Sequence, residues 1–147
     1  MGLIYENITL KNAGDVSDVR RGFIKEPKIR QIKVLAMVDT GAEMLVISEA
    51  IRQELGLEVL EEQQIRLANE AVQNCQFTEP VEVHWKDRYT YTQAVVLAGV
   101  SDVLLGAIPL EGMNVIVDPA KQQLIGANGD EIIYKVYVSN SRTISSP

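Results

Sequence analysis

The 147-residue chain holds one cysteine, Cys75, one histidine, His84, and no apolar run of membrane-spanning length. A lone cysteine excludes an intrachain disulfide and a cysteine-based zinc site, and it accords with a reducing cytoplasm. With a single histidine, no paired cysteines and no acidic cluster at ligand spacing, no metal and no other cofactor is expected. His84 lies on an alternating stretch, where a surface or packed role is the expectation. Without a stretch of about 20 apolar residues, no membrane span is expected. The first residues lack a basic segment followed by an apolar run, so no signal peptide is read. Glu6 stands where myristoylation prefers Ser or Thr. A Gly-rich phosphate loop and a Gly-x-Ser-x-Gly elbow are both missing. Positive charge is also short: 14 Lys and Arg face 20 Asp and Glu, for a net charge of −6. That balance argues against a nucleic-acid partner, because such proteins usually present a basic face. The basic residues thicken only around Arg20-Arg21 and residues 25–33, which read as a solvated strand pair. These absences describe a soluble, cytoplasmic protein.

Length and a hydrophobic content of 46% fit one domain with one core. Its expected extent is residues 1–138, with a polar, frayed tail at 139–147. Strand signals dominate. Residues 4–10 alternate weakly, and residues 12–15 (Asn-Ala-Gly-Asp) form a turn cluster. Residues 19–24 and 29–38 read as strands, broken by Glu26-Pro27. Residues 81–85 alternate with period two, and residues 89–97 run back as a hairpin partner. Trp85, Tyr89 and Tyr91 on that hairpin are expected to pack across strands. Residues 114–118 and 122–125 are a further pair, and residues 132–138 alternate again. Only two helices are expected. One covers residues 49–55, with a Ser48 cap and a closing Gly56; the other is short and lies near residues 109–113. Many short strands with regular turns imply an all-β, closed or nearly closed barrel.

The informative stretch is residues 34–48, where Asp39-Thr40-Gly41-Ala42 sits between two apolar runs. A carboxylate at the mouth of two buried strands is partly removed from water, which makes its protonation adjustable. Thr40 can hydrogen-bond beside it, and Gly41 permits a sharp turn or a close backbone approach. Downstream, Asp102-Val103-Leu104-Leu105-Gly106-Ala107-Ile108-Pro109-Leu110 places an apolar pair before a glycine and a short helix-like stretch. Between them, residues 65–77 carry a hairpin pattern.

Together these segments resemble the retropepsin-like aspartic proteases of the single-domain kind that bacteria also encode. Asp39-Thr40-Gly41-Ala42 resembles their catalytic loop, residues 102–110 their second half-motif, and residues 65–77 their flap. The resemblance covers about residues 30–126. It implies a closed acid-protease barrel and peptide hydrolysis without a cofactor. The chain has one Asp-Thr-Gly, so the resemblance implies a homodimer in which two-fold symmetry brings two Asp39 carboxylates together. Thr40 would lock the two loops across the axis, and the Gly41 carbonyl would meet the substrate. Substrate contacts are expected from Ala42, Glu43, Val46, Leu104 and the flap residues Ala68, Asn69 and Glu70. Val46 and Leu104 would form apolar subsites, although plain core residues would read identically in sequence.

Three departures from the pattern stand out. Glu43 replaces the usual Asp, and Ala107 stands where an Arg normally supports the loop through an ion pair. The flap segment 67–72 contains no glycine. These features keep two rival readings open: a non-catalytic peptide-binding or dimerisation module, and half of an assembly whose other partner supplies the second Asp. The residues 4–10 and 132–138 are candidates for pairing between subunits.

Overall fold

The computed structural model of the chain describes residues 3–136. Its elements in chain order are β1 (Ile4–Asn12), α1 (Ala13–Arg20), a 3-10 turn (Glu26–Lys28), β2 (Gln31–Val38), β3 (Leu45–Ile47), α2 (Glu49–Glu54), β4 (Val59–Arg66) and β5 (Val72–Thr78). They continue with β6 (Val81–Trp85), β7 (Arg88–Thr92), β8 (Ala94–Val96), β9 (Val103–Leu105), α3 (Ala107–Gly112), β10 (Val115–Asp118) and β11 (Gln123–Asp130). Nine strands form one sheet in the order β4-β5-β8-β3-β9-β2-β1-β6-β7, and β10 pairs with β11 separately.

The mostly β character matches expectation, but closure does not. Among the described residues β4 and β7 are free edges, so the sheet is open rather than a closed barrel. Among the described residues three α-helices are present where two were expected. The extra one, α1, replaces the expected turn at 12–15, and the expected strand at 19–24 does not form: its first two residues end the helix and residues 21–24 turn. Asn12 is its N-cap: the side-chain oxygen accepts the Asp15 N–H at 3.0 Å. Gly22, at φ +81°, then turns the chain out of the helix.

β1 pairs with β2 along residues 4–11 and with β6 only through residues 9–12, so the candidate intersubunit segment 4–10 is covered on both sides only at its C-terminal end. Beyond a single bridge at Glu131, residues 132–136 have no ladder partner; residues 137–138 and the expected tail at 139–147 fall outside the described residues. The hairpin β6–β7 forms, but the chain then leaves it, and β8 pairs with β3 and β5 instead. Buried Thr78 stabilises that switch by accepting the Ala94 N–H through its hydroxyl.

The main core gathers Leu10, Leu45, Ile47, Leu55, Val83 and Leu105, with Met113 closing it from the α3 end. α2 is capped as expected: Ser48 Oγ accepts the Ile51 N–H, and Gly56 ends the segment at φ +63°. A second, smaller cluster of Val46, Cys75 and Val95 packs with Met44, Ile65, Phe77, Leu97 and Leu104. That cluster underlies the site described below.

Arg30 and Asp15 brace the far side of the sheet. The guanidinium and backbone N–H of Arg30 give Asp15 three hydrogen bonds between 2.8 and 2.9 Å. The Arg30 guanidinium holds the Asp15 carboxyl below the usual carboxylate range. A lowered folded-state pKa contributes stability that is present above the unfolded value and lost as pH falls through the folded one. Asp15→Asn is therefore expected to destabilise the protein at pH 7. The gap to wild type should close well below about pH 4, the free aspartate value. Urea denaturation at neutral and acid pH checks this; an equal gap at both would contradict it.

Candidate active site

The Asp39 loop is held by an unusual strand order. β9 lies between β2 and β3, parallel to β2 through Met37↔Leu104 and Val38↔Leu105, and antiparallel to β3 through Leu45↔Leu105. Residues 39–44 must therefore arch over the end of β9. The Asp39 N–H donates to Leu105 O at 3.1 Å, extending the β2–β9 ladder to the carboxylate-bearing residue. Asp39 Oδ1 accepts the Gly41 N–H at 3.0 Å, and Asp39 O accepts the Ala42 N–H at 3.1 Å. The carboxylate is thus oriented by its own turn, as Asx side chains commonly are. Asp39 is half-buried, while Thr40 and Gly41 are exposed.

The downstream motif holds the loop from below. A Cβ on Gly106 would lie 2.7 Å from Ala42 O and 2.8 Å from Glu43 C, and closer still to Met44 O. Only glycine permits that backbone contact; its own φ of −88° is ordinary. The first N–H groups of α3 then point at the loop. Ala107 N–H donates to Ala42 O at 2.8 Å, and Ile108 N–H donates to Glu43 O at 2.9 Å. These helix-end donors need partners, and the loop carbonyls supply them. The absent arginine at Ala107 is thus bypassed by backbone bonds. Among the described residues the Glu43 side chain forms no ion pair.

β4 and β5 form the expected hairpin, with its tip at residues 67–71. Leu67 N–H donates to Ala71 O, and Glu70 N–H donates to Leu67 O. Glu70 occupies the left-handed position, at φ +68°, where such turns favour glycine. Asn69 Oδ1 accepts the Ala71 N–H at 3.0 Å, which stiffens a tip without glycine.

A cavity of about 810 Å³ lies between hairpin and loop. Of the residues singled out in the sequence, Asp39, Gly41, Ala42, Glu43, Val46, Ala68, Glu70 and Leu104 line it. Thr40 and Asn69 do not; Thr40 projects outward from the loop and Asn69 spends its side chain on the hairpin turn. Sequence reasoning missed Met44, Ile65, Leu67, Phe77, Val95 and Leu97. The hairpin pattern at 65–77 covered Ile65, Leu67 and Phe77 without singling them out; Ile65 lies near the end of β4 and Leu67 just beyond it, at the tip. Cys75 lies behind this lining, and burial pushes its thiol up. His84 is elsewhere, hydrogen-bonded to Glu82 and stacked on Tyr89, in keeping with a packed role. No helix among the described residues is long and apolar enough to cross a membrane.

An Asp-Thr-Gly loop arched over an inserted strand, facing a hairpin across a large cleft, is the arrangement of an aspartic peptidase. A sequence profile of the family described as "gag-polyprotein putative aspartyl protease" matches residues 26–112, more than half of the chain and the whole of the loop, hairpin and α3. The chain belongs to this retropepsin-like aspartyl protease family. Among solved structures, that of a retropepsin-like aspartic protease from Rickettsia conorii aligns over 80% of this chain and 77% of its own, at 19% identity and a TM-score of 0.49. No curated protein matches the chain.

Proposed function

We propose that the chain is a homodimeric aspartic endopeptidase whose active site forms from two Asp39 carboxylates. The observation that carries this reading is the placement of Asp39: its backbone is bonded to Leu105 and its carboxylate oriented by Gly41, at the rim of an apolar-floored cleft. One chain supplies one such loop, so a second copy is needed for an acid and a base together. One Asp39 carboxylate accepts a proton from water, which attacks the scissile carbonyl. The partner's Asp39, protonated, donates to the carbonyl oxygen. The resulting gem-diol collapses as a proton passes to the leaving amine. Thr40, exposed on the loop, meets its counterpart across the axis, and Gly41 and Ala42 offer backbone to the substrate. Val46 and Leu104 contribute apolar subsites, while Ala68 and Glu70 close over the peptide, with Asn69 holding the tip in shape. Glu43, exposed at the rim, contacts the substrate backbone. The single unpaired thiol supports action in a reducing, cytoplasmic setting.

The test is hydrolysis of an unfolded protein across pH. Two carboxylates sharing one proton are competent only within a window, so the rate should be bell-shaped and centred on the acid side. A statine-type mimic of the gem-diol should inhibit. Chelators should leave the rate unchanged, and so should thiol reagents, because Cys75 is buried and its thiol held neutral. A flat pH profile, or hydrolysis stopped by EDTA, would contradict the paired-carboxylate mechanism, and no hydrolysis at any pH would favour the binding-module reading.

A further inference from the structure

Arg88 opens β7 and is only 4% exposed. A buried guanidinium is costly unless its donors are met. Among the described residues no carboxylate pairs with it. Its donors go to backbone carbonyls instead. Nη1 donates to Asn114 O at 2.6 Å and more weakly to Met113 O at 3.4 Å; Nη2 donates to Gly129 O at 2.6 Å. Met113 is the C-cap of α3, and Asn114, at φ +58°, is the left-handed residue after it. A cation there complements the negative helix end. Two glycines make the room. A Cβ on Gly126 would run into the Arg88 guanidinium, and one on Gly112 would lie 2.9 Å from Thr90 Cβ. β7 therefore backs α3 directly.

The opposite end of α3 carries the Ala107 and Ile108 N–H groups that grip Ala42 O and Glu43 O. Ala42 in turn donates its N–H to Asp39 O. An unbroken set of bonds thus runs from the guanidinium, through a six-residue helix, to the loop bearing Asp39.

We propose that Arg88 is a positioning residue for Asp39: it fixes the C-terminal end of α3, and the N-terminal end of α3 fixes the Asp39 loop. The inference rests on the peptidase reading. It places the cationic support of the loop at the far end of the helix whose near end, at Ala107, has none. Lysine cannot substitute fully, because one ammonium does not span Asn114 O and Gly129 O as the planar fork does.

The test compares Arg88→Lys and Arg88→Gln with Asp15→Asn, a change in the α1 network remote from α3. kcat and KM are measured on a peptide that the wild type cleaves. Amide hydrogen exchange is followed at Ala107 and Ile108. Arg88→Lys should lower kcat by about tenfold with KM nearly unchanged, and speed exchange at both amides by a similar factor. Arg88→Gln should do more; if it does not fold, Arg88→Lys still decides. Asp15→Asn, although less stable than wild type, should change neither readout. Wild-type kcat in Arg88→Lys, unchanged exchange, or an equal kcat loss in Asp15→Asn would overturn the proposal. Failure of the wild type to cleave any peptide would instead sink the peptidase reading, and the exchange measurement would still report whether Arg88 holds the loop.

Discussion

Asp39→Asn protein should fold as the wild type does and lose peptide hydrolysis by about 10³-fold or more. The fold survives because the asparagine amide keeps an Oδ1 that can accept the Gly41 N–H, the one side-chain bond Asp39 makes among the described residues. The Asp39 backbone bond to Leu105 does not involve the side chain at all. Chemistry fails because an amide can neither take a proton from water nor share one with the opposing carboxylate. Both halves of the expectation matter. Unchanged thermal unfolding with activity lost places the residue in the reaction, whereas lost stability would make it a structural turn residue. Cleavage at the wild-type rate would remove Asp39 from the mechanism.

Gly106→Ala should be severely damaging. The new Cβ would meet only backbone: Ala42 O, Glu43 C and Met44 O. Backbone cannot rotate away as a flexible side chain can, so residues 42–44 must lift. That displacement breaks the Ala107 N–H to Ala42 O bond and tilts the loop bearing Asp39. Overpacking of this kind costs about 3 kcal/mol, a large share of the stability of a domain this size. Activity should fall further than the folded fraction explains, because a tilt of under an ångström spoils reacting geometry. Urea denaturation and kcat/KM per folded molecule separate the two effects. A variant with wild-type stability would show that the loop does not rest on Gly106.

The sequence disclosed the site more readily than the path of the chain. Asp39-Thr40-Gly41 between apolar runs and the hairpin at 65–77 were legible because both follow from local chemistry: alternation, a turn, and a carboxylate at a strand end. Ser48 and Gly56 bracketed α2 for the same reason. Asn12 was misread because asparagine serves turns and helix caps alike; it became a cap through Asp15 and through its Nδ2 bond to Leu55 O, 43 residues away. The insertion of β9 between β2 and β3 leaves no periodic trace. It depends on one close contact at Gly106, and any glycine looks the same in a sequence. The open sheet has a similar origin, since short strands at regular spacing do not say which edges meet. Thr40 and Asn69 lie on the loop and the hairpin tip beside the cavity without lining it, because their side-chain directions are set by the turns they sit in. Arg88 lies between the two strand patterns at 81–85 and 89–97, and its burial against the end of α3 emerged only from the fold.

The central claim is that one Asp39 from each of two chains makes one active site. Adding inactive Asp39→Asn protein to a fixed amount of wild type, at concentrations where chains exchange, tests it most directly. Mixed pairs would hold one carboxylate and one amide, so the hydrolysis rate should fall as the variant is added, towards the small share of wild-type pairs that remain. Dilution of wild type alone should lower its rate per chain. A rate unaffected by any excess of the variant, and strictly proportional to wild-type concentration, would show that a single chain acts alone and would contradict the paired site.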